Sequence, residues 1–112
     1  MADAKSKRIV GLDEGWELAP RASYTASQSN GEVTIKARGQ HPASNYEAKL
    51  VMSPLRIWPP QWMLARHKTA DMGATVIVPY EVTEKFRAAE PVTKIRVSDA
   101  EGAVDVTVDQ AK

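Results

Sequence analysis

The chain is 112 residues long, 43% apolar and 26% charged, with a formal charge of +1, the make-up of one globular domain. The near-zero charge excludes disorder by self-repulsion and a polybasic tail, and the lack of cysteine excludes disulfides, thiolate nucleophiles and Cys-based zinc or iron–sulfur sites. No apolar run approaches the roughly 20 residues that span a bilayer, so no membrane partner is expected.

At the N-terminus Lys5, Lys7 and Arg8 are basic. Ile9, Val10 and Leu12 are soon interrupted by Asp13 and Glu14, so no signal-peptide core follows. The expectation is a flexible tail over residues 1–7, a single domain over residues 8–109 and a cytoplasmic location. Trp16 and Leu18 then form a short apolar stretch that belongs in the core.

From residue 22 onward the apolar spacing is mostly period two, the mark of half-buried strands. Asn30-Gly31 is a strong hairpin signal, because a type I′ turn needs positive φ at both central residues. With those two as the loop, paired positions sum to 61. Ile35 then faces Ala26, Ala37 faces Tyr24 and Val33 faces Gln28. A slip of one residue would turn the apolar set to water. The predicted hairpin covers residues 22–38.

Pro42-Ala43-Ser44-Asn45-Tyr46 has a Pro-x-x-x-Tyr spacing that resembles the tyrosine corner of fibronectin type III domains. There the tyrosine hydroxyl caps a loop as a strand begins. Gln40 stands where that motif has an apolar residue, and too many strand-like segments follow Tyr46 for that fold. The segment is read as a loop-to-strand device and not as family membership.

Residues 46–53 alternate as a third strand, which Pro54 ends or marks as an edge. Residues 61–68 are read as a strand. Residues 74–82, with Thr75, Val76, Ile77, Val78, Tyr80 and Val82, are read as a central strand bent at Pro79. Residues 83–90 carry helix formers around Phe86, which leaves a single helical turn open there without making a secure helix. The last hairpin pairs residues 93–98 with 104–109. An even loop, with pairs summing to 201, sets Val97 opposite Val104 and Ile95 opposite Val106.

Seven or eight short strands with turns between them predict an all-β fold, an antiparallel β-sandwich of immunoglobulin-like kind. A small β-barrel is the alternative.

The densest chemical feature is Trp58-Pro59-Pro60-Gln61-Trp62. Burying one such ring removes about 150–250 Å² from water, which is worth roughly 4–6 kcal/mol. At least one of the pair therefore belongs in the core. The segment is also the best candidate contact surface, with Trp58, Trp62 and Met63 as binding residues.

No catalytic, cofactor or metal residues are assigned. His41 and His67 stand 26 apart without HxH or HExxH spacing. The serines lack an activating elbow, and no glycine-rich phosphate loop is present. Lys36, Arg38, Arg66, Lys68, Lys94 and Arg96 would form a basic stripe if their strands adjoined. Charged strand faces that discourage edge pairing explain them better, so nucleic acid is disfavoured.

The predicted function is that of a non-enzymatic binding or protein-interaction module. A carbohydrate-binding domain using exposed tryptophans, or a small enzyme whose site is hidden in the linear sequence, are the alternatives.

Overall fold

The computed structural model describes Leu12, residues 15–54 and residues 57–110. The tail expected over residues 1–7 lies outside these. The strands are β1 (Glu17–Leu18), β2 (Ser23–Ser29), β3 (Glu32–His41), β4 (Tyr46–Met52), β5 (Gln61–Lys68), β6 (Val78–Arg87), β7 (Lys94–Asp99) and β8 (Gly102–Gln110). Among the described residues there is no helix.

Both sequence registers hold. Pairs between β2 and β3 run from Ser23 with Arg38 to Ser29 with Glu32, and pairs between β7 and β8 from Lys94 with Thr107 to Asp99 with Gly102. Asn30 (φ 55°) and Gly31 (φ 77°) supply the two positive φ angles of the first turn. Tyr46 opens β4, as a loop-to-strand device should.

All strands belong to one sheet, ordered β1-β5-β7-β8-β2-β3-β6, with β4 on the other side of β5. The expected pair of facing antiparallel sheets is replaced by one curled, mixed sheet that forms a half-barrel. Two ladders are parallel: β2 with β8 from Ala26 and Val108 onward, and β5 with β7 from Gln61 and Arg96 onward. The barrel alternative fits in part, since β4 and β6 approach each other at the open seam without a ladder between them.

Two segments depart from expectation. β6 begins only at Val78 and lies at the end of the strand order, with Val76 and Ile77 exposed before it. An edge place accommodates Pro79, which has no N–H to give a second neighbour. Where the sequence leaves a helical turn open over residues 83–90, residues 83–87 instead continue β6, paired with β3 as far as Glu32 with Arg87, and the strand ends before Ala88. A partner strand along its whole length overrides the helix propensity of so short a segment.

The concave face holds the main core: Ala26, Val33, Ile35, Ala37, Leu50, Trp62, Leu64, Phe86, Ile95, Val97, Val106 and Val108. A second, smaller cluster lies on the convex side of β5, where Met63 and Ala65 meet Leu12, Trp16, Leu18 and Val51. Trp16 is half-buried there, with its ring 4.0 Å from that of His67 and the Lys49 ammonium 4.1 Å from its centroid. β5 is therefore buried on both faces along Trp62–Ala65.

Leu64 is fully buried and central to the concave core. Leu64→Ala is expected to destabilise the fold by about 2–5 kcal/mol, the range for a large-to-small change that leaves a cavity. Urea unfolding followed by tryptophan fluorescence measures it, with an unchanged slope showing that only stability moved.

Candidate functional site

The two ends of the half-barrel differ in chemistry. At the upper end β3, β5 and β7 finish and β2, β4, β6 and β8 begin. At the lower end lie the turn at Asn30-Gly31 and the loop before β5. The inward positions that are Val33, Ile35 and Ala37 low on β3 become Gly39 and His41 at its top. All three tyrosines and the buried Asp99 gather at the same end.

His41 is buried, and its ring stacks between Tyr80 (4.4 Å) and Tyr46 (5.8 Å). The Arg66 guanidinium covers Tyr46 at 4.8 Å while its Nε donates to Glu17 Oε2 at 2.9 Å. Tyr80 lies across Gly39, where a Cβ would stand 2.6–2.9 Å from its ring and hydroxyl; only glycine leaves that room. Beside them Asp99 accepts hydrogen bonds from Arg21 Nε (2.7 Å), Tyr24 Oη (2.5 Å) and the Glu101 amide (2.9 Å).

These contacts set the charge states. Burial pushes the Asp99 carboxyl up, but the bonds from Arg21, Tyr24 and Glu101 outweigh it and hold it below the usual carboxylate value. Burial, then the hydrogen bond to Asp99, raises Tyr24 well above an ordinary phenol. Burial, reinforced by the Arg66 charge, lowers His41.

An open groove of about 930 Å³ adjoins this end, lined by residues that include Arg21, Arg38, Gly39, Tyr80 and Glu81. Its two arginines are engaged, Arg21 with Asp99 and Arg38 with Glu81 at 2.7 Å. Of the rings at this end, His41 stacks with Tyr80 and Tyr46, and Arg66 covers Tyr46, while Tyr80 also lines the groove. This end thus works as a clasp that draws β4 towards β3 and β6. Sequence reading missed it because the second strand was ended at Arg38. Continuing its period-two pattern would have placed His41 on the core side.

The lower end is apolar and less complete. Phe86 on β6 meets Trp62 (6.2 Å) and the edge-on ring of Trp58 (5.7 Å, 89°). The three proposed contact residues have separate fates. Trp62 is 3% exposed and faces the concave core, Met63 is 7% exposed and faces the convex cluster, and Trp58 is 65% exposed. Among the described residues the Trp62 indole N–H has no acceptor. Its desolvation costs about 1–3 kcal/mol, less than the roughly 4–6 kcal/mol from burying the ring.

Met52 and Ile57, each 47% exposed, lie at this end with Trp58. A shallow groove of about 230 Å³ runs from Ile57, Trp58 and Pro59 over Gln61 to Lys94, Arg96 and Asp105. Gln61, Arg96 and Asp105 form one cross-strand row over β5, β7 and β8. Asp105 accepts from Arg96 Nε at 3.0 Å and Lys94 Nζ at 3.5 Å. The Arg96 hydrogen bond above all keeps its carboxyl below the usual value and ionised.

The six basic residues weighed as a stripe are dispersed. Lys36 and Arg38 stand on β3, Arg66 and Lys68 at the top of β5, and Lys94 and Arg96 at the bottom of β7. Arg38, Arg66, Lys94 and Arg96 each face a carboxylate. His67 pairs with Glu47 at 2.9 Å on the convex side, away from His41. Among the described residues no three His, Asp or Glu side chains converge as a metal site. Comparison with known proteins finds no matching family model, no similar curated protein and no solved structure that matches.

The His41 clasp has a pH signature. The unfolded chain takes up this proton near 6.5 and the folded protein only at lower pH. Between those values the unfolded state binds more protons. The contribution is full above about pH 6.5 and is lost as pH falls towards the folded value. His41→Phe keeps a ring between the tyrosines and removes the titration. The native protein is expected to lose stability relative to H41F between pH 7 and pH 5, as read from paired urea midpoints.

Proposed function

We propose that this chain is a non-enzymatic interaction module that docks a protein partner through its lower rim, with Trp58 as the anchor. The observation that carries this reading is the exposure of Trp58 beside Ile57 and Met52. A chain that buries Trp62 a few residues away leaves this ring in water, forgoing part of the roughly 4–6 kcal/mol that full burial is worth. Interfaces draw their energy from such aromatic anchors, flanked by arginine and rimmed by polar groups. At the upper end His41 stacks with Tyr80 and Tyr46, and the arginines of the groove there are already paired. A cytoplasmic location belongs with this reading.

Carbohydrate docking is the second reading. It is favoured by the hydrogen-bonding groups of Gln61, Arg96 and Asp105 beside the indole, since a sugar ring needs both a flat apolar face and polar partners.

The three tryptophan indole N–H signals of a nitrogen-labelled sample separate these readings. Titration with short leucine- and aromatic-containing peptides is expected to move the Trp58 signal and leave that of Trp62 in place. Trp58→Ala should remove the response while lowering stability by about 2–3 kcal/mol, the worth of the edge-on ring contact together with the buried third of the ring. A response to neutral oligosaccharides and not to peptides would favour the second reading. Peptide binding that persists unchanged in W58A would end the assignment.

A further inference from the structure

The groove below Trp58 carries information about its partner's charge. Two cations, Lys94 and Arg96, share the single carboxylate of Asp105, so the groove floor keeps one excess positive charge (2 − 1 = +1). Both cations remain largely exposed, as their pairing across β7 and β8 leaves them on the convex face. The walls at Ile57, Trp58 and Pro59 are apolar. An apolar wall above a cationic floor suits a segment that presents an apolar side chain with a carboxylate next to it. Arginine engaged by only one carboxylate oxygen retains N–H donors for a second acceptor.

We infer that the partner segment is an acidic peptide, whose leucine or aromatic side chain lies against Trp58 while an adjacent Asp or Glu meets Arg96 and Lys94. The inference rests on the interaction-module reading and adds the chemical class of the partner. A basic segment would meet like charge on the floor, and like-charge juxtaposition works against binding.

The test uses the full chain and three capped peptides of one length with a central leucine, flanked by glutamates, by glutamines or by lysines. Binding is followed at the Trp58 indole signal. The acidic peptide is expected to bind about tenfold tighter than the glutamine peptide at low salt, with the advantage shrinking as salt screens exposed charge. Asp105→Asn raises the excess charge and should tighten the acidic peptide several-fold. The double variant K94Q/R96Q should weaken it to the level of the glutamine peptide. These surface changes move binding in opposite directions, so a general loss of folding cannot imitate both.

If the glutamine or lysine peptide binds as well as the acidic one, and does so through Trp58, the charge assignment falls and the interaction module stands. If no peptide moves the Trp58 signal, both fall. If a uronic-acid oligosaccharide binds in the same charge-dependent way and the acidic peptide does not, the peptide assignment is overturned in favour of an anionic glycan.

Discussion

The structure depends on one strand that has no face to spare. Along Trp62–Ala65 every side chain of β5 is buried, two towards the concave core and two towards the convex cluster. Such a strand needs cover on both sides. The curled sheet supplies one cover, and Leu12, Trp16 and Leu18 supply the other. Both edges of β5 are also used, by β4 along one side and by β7 and then β1 along the other. Backbone polar groups at such depth must be paired, so the placement of three strands follows from the burial of one.

Because the sheet curls without closing, β4 and β6 face each other across a seam that lacks a ladder. Rings bridge it instead. At the top His41 joins Tyr80 on β6 to Tyr46 on β4; at the bottom the ring contacts run past β4, from Phe86 on β6 to Trp62 on β5 and to Trp58 before it. The two bridges differ in what they leave over. In the upper bridge His41 stacks with Tyr80 and Tyr46, with an arginine over Tyr46. The lower bridge ends on a ring with most of its surface in water. The functional assignment grows from this asymmetry, since rings that satisfy one another hold a fold together and a ring left open is available to a second molecule.

Local pairing was plain in the amino-acid order, and remote pairing was not. Asn30-Gly31 and the valines at 104, 106 and 108 specify their hairpins through turn chemistry and parity alone. The parallel contacts of β2 with β8 and β5 with β7 join segments far apart in the chain, and leave no local pattern to read. Thr75, Val76 and Ile77 have the composition of a core strand, yet they form an exposed approach to an edge. Composition records suitability for a pleat, while burial depends on what lies alongside. Trp58 and Trp62 are alike in type and close in sequence. What separates them is that Trp62 shares the inward parity of Leu64, whereas Trp58 precedes the strand. The strand start at Gln61 and that parity were visible in the sequence, but the prolines between the two rings hid the direction of Trp58.

The place of β8 has a further consequence for the order of assembly. It joins β7 on one side to β2 on the other, so it is the bond between the two halves of the sheet and also the last strand in chain order. Without residues 102–110 no ladder ties the hairpin of β2 and β3 to β5 by way of β7, and the rings at the seam are left to hold the two halves together. Pairing across so long a loop is entropically slow. Without residues 102–110 the two halves share no strand, and the apolar concave face of each stays open to non-native pairing.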